Sequence, residues 1–281
     1  MMKHPKIYGI LFLALLGISS CVNLKHVNAY SSESLEGVQY FETLNYSFQQ
    51  SCFDKCFEEK INNLEFLNQD CNCQQEKVAD SITLKIYTSV FGYFDGLTNL
   101  SNNDLTSYKT DALSNALSEG DFGSITIKTE HVESYTTVSQ LLIHAFTDSY
   151  RKKKIKTYVK AANTSVKTLI SFLDFNISSN LNGKLEVKKN RLKADYFDLV
   201  KDTSLSSFEK RNAITEYYTN ISVIEQQQAK FAAYSKTLAA ISEGHQKLYD
   251  DIEHLSLKEI KQELFESASE IKSIISELKK I

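Results

Sequence analysis

The chain has one proline, Pro5, and no tryptophan. Beyond residue 5, then, no ring locks φ or deletes a backbone donor, and no residue type forbids long unbroken helices. Only nine glycines punctuate 281 residues. An all-β domain needs many tight turns, most of them built on glycine or proline, so this composition argues against one. Arginine is also scarce, three residues against 29 lysines, and the net charge is −3. That balance gives no general drive toward nucleic acid, and no nucleic-acid partner is expected. Past the first twenty residues, apolar runs are too short to cross a bilayer. Motifs for chemistry are missing too. No G-x-S-x-G elbow, G-x-G-x-x-G, Walker pattern, H-E-x-x-H or repeated E-x-x-H occurs. No catalytic residue, metal site or cofactor is therefore expected, and the chain leans away from enzymes.

What is present starts at the N-terminus. Lys3 and Lys6 precede an apolar stretch from Ile7 to Ile18, and small residues follow as far as Cys21. Twelve apolar residues suit a signal-peptide core but not a membrane span. Ile18-Ser19-Ser20-Cys21 resembles the lipobox of bacterial lipoproteins, with an aliphatic residue three before a cysteine. The resemblance covers about twenty residues and implies a processing route. Cleavage would precede Cys21, and its thiol and new amino terminus would carry acyl chains, each buried methylene adding ~0.8 kcal/mol of membrane affinity. Val22 rather than Asp after the cysteine implies an outer-membrane anchor facing the periplasm or cell surface. Secretion with cleavage after Val27-Asn28-Ala29 is the rival. The implied partners are the membrane, through the lipid, and a protein of the envelope.

With Cys21 set aside, Cys52, Cys56, Cys71 and Cys73 remain. Four cysteines in an exported chain read as two disulfides. Spacing four puts Cys52 and Cys56 on one helix face, and spacing two puts Cys71 and Cys73 on one side of an extended segment. Nested pairing, Cys52 with Cys73 and Cys56 with Cys71, is favoured. The crossed pairing and two local pairs stay open. A four-thiolate zinc site would use the same residues, but the paired C-x2-C spacing it usually shows is absent.

The remaining pattern is helical. Apolar positions at three and four residue intervals predict helices from about 36 to 67 and 76 to 98, and over a shorter stretch after Leu105. A short strand is expected near 124–129. From Glu130 one stripe continues to Leu173, predicting a single helix of about 45–50 residues ended by a turn at Asn180–Gly183. A helix over 185–201 follows. Ser206-x-x-Glu209 and Ser256-x-x-Glu259 read as capping boxes opening the last two helices. The expected fold is all-α, an elongated antiparallel bundle with coiled-coil-like helices. Its divisions are a signal peptide (1–20), a lipidated N-terminus and tether (21–35), a disulfide-stapled helical region (36–125) and a long-helix bundle (126–281).

Three side-chain groups remain candidates for function. The run Arg151, Lys152, Lys153, Lys154 and Lys156 offers an anion or partner contact, although a solvated helix face explains such residues as well. His144 and Asp148 have i, i+4 spacing, which fits an orienting pair or half a metal site. The aromatics Tyr87, Phe91, Tyr93 and Phe94, and Tyr217, Tyr218, Phe231 and Tyr234, would either line a groove between helices or fill the core. The expected role is binding, scaffolding or interaction. A membrane-active or toxin-related helical protein, and a small-molecule-binding protein or enzyme with a pocket between helices, are the alternatives.

Overall fold

In a computed structural model, residues 24–66, 70–102, 116–147 and 154–281 are described. Among the described residues the chain is all-α apart from one small hairpin. Helix α1 (Lys25–Gln39) corrects the expected tether. Val27, Tyr30, Ser34 and Val38 recur at helical spacing and are wholly buried. Serines there are small enough to let helices approach, so a stretch that looks polar is core. The Tyr30 hydroxyl donates to the carbonyl of Ile241 (2.6 Å), and burial pushes its pKa well up.

The helix expected over 36–67 is broken. A 3-10 turn (Tyr40–Thr43) leads to Asn45 at φ 51°, and α2 (Phe48–Asn62) starts afresh. Ser47 caps α2 by accepting from the Gln50 amide, and the Asp80 carboxylate accepts from the amides of Phe48 and Gln49. That charge satisfies orphan donors where the helix dipole favours an anion. Helix α3 (Gln74–Asn102) is the central element, burying Ala79, Ile82, Ile86, Val90, Tyr93, Phe94 and Leu97. A hairpin follows: β1 (Gly120–Phe122) pairs antiparallel with β2 (Ile125–Ile127), Phe122 opposite Ile125, around Gly123 at φ 60°. Ile125 and Ile127 point into the core.

The long helix expected from 130 to 180 is instead α4 (Thr129–Thr147) and α5 (Ile155–Asp174), packed together. His131, at the start of α4, lies 4.4 Å from the ring of Phe172 near the end of α5, so the two run antiparallel. Residues 148–153, between them, lie outside the described residues. The turn expected at Asn180–Gly183 is absent. A π-helical segment (Phe175–Leu181) joins α5 to α6 (Asn182–Lys201), and Gly183 sits inside α6. The asparagines serve packing: Asn180 donates to the Ser124 carbonyl and to Asn176, which is wholly buried.

The capping box at Ser206 and Glu209 forms and opens α7 (Ser207–Asp250), 44 residues long. The second one does not form. Helix α8 (Lys258–Leu278) begins after Leu257 with no side-chain cap, and its register is held by buried Ile260, Leu264, Ile271, Ile275 and Leu278. One apolar cluster runs from Leu24 to Leu278 and draws on both sides of residue 125. Helix α1 lies against α3, α7 and α8.

Candidate interaction surface

Cys21, Arg151, Lys152, Lys153 and Asp148 lie outside the described residues. Of the basic run, exposed Lys154 opens α5 and Lys156 is committed elsewhere. Lys156 and Lys160 both donate to Glu253 (2.8 and 2.6 Å), whose pKa falls to about 2 under their hydrogen bonds and charge. That pairing clasps α5 to the segment after α7 and spends the lysine that would have met an anion. His144 is exposed on the last turn of α4. Among the described residues no group of three or more His, Cys, Asp or Glu side chains is placed to hold a metal ion.

The four cysteines form nested bridges, Cys52 to Cys73 and Cys56 to Cys71. They tie α2 to the start of α3, which matters because α2 buries only Phe48. Two small cross-links replace the core this helix lacks.

An elaborate polar constellation lies inside the core, around a residue the sequence did not single out. His245 is wholly buried, with Nε2 2.7 Å from the Tyr93 hydroxyl and Nδ1 3.0 Å from Asn163 Oδ1. With that amide oxygen as acceptor, Nδ1 carries the proton and Nε2 accepts from Tyr93. Burial, with a smaller push from Lys167, lowers the imidazole pKa to about 3, so the ring is neutral. Tyr158 stacks on Tyr93 at 5.0 Å and donates to the Tyr93 carbonyl. Tyr93, Tyr158 and His245 are sealed from solvent and Asn163 is half-buried, so the network fixes helix positions rather than meeting a substrate. Of the predicted aromatics, Tyr87, Tyr93, Phe94, Phe231 and Tyr234 are core residues.

Two open polar grooves flank the hairpin. One, about 820 Å³, is lined by Asp54, Glu76, Lys184, Lys188 and Arg191. Its charges are already paired: Lys188 with Asp54 (2.8 Å), Lys184 with Glu76 (3.8 Å), and Arg191 with Glu58 (2.9 Å) at its margin. Burial raises the Glu58 pKa even against Arg191 and Lys188. A ligand would have to break these pairs, so the groove reads as a brace holding α6 to α2. The other, about 830 Å³, has Lys128, His131, Lys167 and Phe172 on its walls, with Lys167 bonded to Gln246 (2.6 Å).

The remaining feature is different in kind. Within α6 only Leu185 is buried, and within α7 burial begins at Ile221. Residues 186–220 thus form a two-helix arm, ~24 Å long on the α6 side at 1.5 Å per residue; α2 braces its base through Lys188, Arg191 and Asp195, where Leu192 still packs on the core, and only the tip beyond leaves the bundle. Lys189 pairs with Glu225 and Tyr196 packs on Tyr217, which zips the two helices. Phe197 and Val200 on α6, with Ile214 and Tyr218 on α7, line an apolar furrow of about 300 Å³ near the tip. Phe197 is 58 % exposed and Tyr218 67 %, and Phe208 at the tip is also exposed. Single exposed apolar residues are ordinary on a protein surface, whereas a cluster on one projecting face marks a contact site.

No protein-family model matches the chain, and comparisons with curated proteins and with solved structures return no match. The class is therefore defined by architecture: a disulfide-stapled helical bundle with a projecting two-helix arm.

Proposed function

We propose that this chain is a lipid-anchored helical protein of the bacterial cell envelope, non-catalytic, whose role is binding or scaffolding through its arm. Cys21 is the anchor, and the outer membrane is the favoured site. The observation that carries the interaction role is the arm's tip, where Phe197, Val200, Phe208, Ile214 and Tyr218 are all exposed. Globular cores bury such residues, and leaving several uncovered on one projection is costly unless a partner takes them. The membrane-active alternative receives no support, since no described helix is long and apolar enough to cross a membrane.

Two measurements test the reading. Metabolic labelling with a fatty-acid probe should mark the native chain and not Cys21→Ala. Label on that variant, together with retention in the membrane fraction, would overturn the anchor. A photo-crosslinking residue at Tyr218 should give discrete adducts in cells, whereas one at Leu84, exposed on α3, should not. Identical adduct patterns from both sites would remove the arm from the proposal.

A further inference from the structure

The arm has two unlike faces. On α6, Lys193, Phe197 and Val200 fall at i, i+4 and i+7, and Lys201 lies over the Phe197 ring at 3.8 Å. On α7, Arg211, Ile214 and Tyr218 fall at i, i+3 and i+7. Lys193, Phe197, Val200, Ile214 and Tyr218 line the furrow, and Arg211, whose Nε donates to the Ser207 carbonyl (3.3 Å), extends the α7 row beyond Ile214. The acids lie elsewhere. Asp195 faces Asn62 on the α2 side, Glu216 lies two residues and so about 200° round α7 from Ile214, although it meets the furrow-lining Tyr196, Glu209 closes the capping box and Asp202 bonds Ser204 in the turn. Asp198 is a quarter-turn round from Phe197, on the outer edge of α6. Glu225, further down the furrow side, is paired with Lys189. The furrow is apolar along its floor and cationic along its rim.

We infer that this furrow is a docking site for an acidic amphipathic helix of a partner protein. Its apolar residues at i, i+3 or i+4 and i+7 would lie on Phe197, Val200, Ile214 and Tyr218, with flanking carboxylates meeting Lys193, Lys201 and Arg211. Helix-in-groove recognition has this form, with apolar anchors for affinity and rim charges for orientation. Two other occupants fit less well. A second copy would set one cationic rim against another. The anchoring membrane is out of reach: Tyr234 bonds the Val38 carbonyl and Tyr30 that of Ile241, so α1 runs antiparallel to α7. Its first residues thus lie ~50 Å or more along α7 from the arm's tip, well beyond a Debye length.

This deepens the proposed interaction role and rests on it for its setting in the cell. Binding by the purified full chain does not depend on the anchor, so the two stand or fall separately. The probe is a fluorescent helical peptide of about 20 residues with leucines at i, i+3, i+4 and i+7 and glutamates flanking them. Its control carries lysines in place of the glutamates. The acidic peptide should bind saturably at one to one, and the lysine peptide about tenfold or more weaker. Phe197→Ser, Tyr218→Ser and the pair Lys193→Glu with Arg211→Glu should each weaken it about tenfold. Phe197 and Tyr218 stand on different helices and are largely exposed, so an unchanged melting curve certifies at least one variant as folded. Equal binding of both peptides, no saturable binding, or folded variants that bind like the native chain would overturn the inference. So would self-association lost with Phe197→Ser, which makes a second copy the occupant, or tighter binding of vesicles containing phosphatidylglycerol.

Discussion

Acidification should weaken this fold through His245, and the size of the effect follows from its burial. In the unfolded chain the imidazole takes its ordinary value of 6.5, while in the fold it is pushed down to about 3. As pH falls below 6.5 the unfolded chain gains a proton that the folded chain refuses until about 3. Stability from this group is therefore complete above pH 6.5 and drains away between 6.5 and 3. At pH 5 the deficit is about 1.5 pH units at 1.36 kcal/mol each, or about 2 kcal/mol. His26 and His131, also lowered by burial, add loss of the same sign, whereas Glu58 and Asp95, raised by burial, oppose it at lower pH. The clean measurement is a difference. Urea unfolding at pH 7.5 and pH 5 should be run on the native chain and on His245→Gln. The variant should lose about 1–3 kcal/mol at pH 7.5, having disturbed the bonds to Tyr93 and Asn163. Its further loss on going to pH 5 should be smaller than the native chain's by about 2 kcal/mol. Parallel pH dependence of the two proteins, or an imidazole resonance of His245 titrating above pH 5, would refute the reasoning.

Two further predictions rest on packing and cross-links. A methyl group at Gly244 would run into the ring of Tyr30, which cannot retreat because its hydroxyl is fixed to Ile241. Gly244→Ala should destabilise by about 1–3 kcal/mol despite its better helix propensity, whereas Gly183→Ala, with nothing within 4 Å, should stabilise by about 0.5–1 kcal/mol. Thermal melts that reverse this order would count against the packing described for α1 and α7. Replacing Cys52 and Cys73 together by Ala leaves Cys56–Cys71 closing 15 of the 21 residues, so only a short loop is released and the cost should be about 2 kcal/mol, with amide protection in α2 lost before that in α3. Hydrogen exchange showing both helices opening together would contradict the dependence of α2 on its bridges.

Some of this could be read in advance. The stripes that became α3, α7 and α8 were visible because buried side chains there repeat every three or four residues. The Ser206 capping box was visible because its partners are three residues apart. Helix α1 was not, since Ser31 and Ser34 look polar in sequence and become buried only where other helices press close. The break between α4 and α5 left only a lapse in apolar spacing. The continuity through Asn180 and Gly183 overrode strong local turn chemistry, because Asn180 found acceptors in the Ser124 carbonyl and Asn176 Oδ1. Tyr93 and Asn163 stand 152 and 82 residues from His245, so no spacing rule could join them. For the arm, periodicity showed two amphipathic helices but could not show where the bundle stops covering them. That boundary, at Leu185 and Ile221, creates the candidate surface.

The nested bridges make one stretch of backbone dispensable to the integrity of the chain. A protease that cuts once between Phe57 and Asp70, next to exposed Leu64 and Phe66, severs the peptide chain without separating its two pieces. Both fragments stay joined through Cys56–Cys71 and Cys52–Cys73. Such a nick would show as two bands on a reducing gel and one on a non-reducing gel. The projecting arm would remain attached to everything N-terminal of the cut, including Cys21.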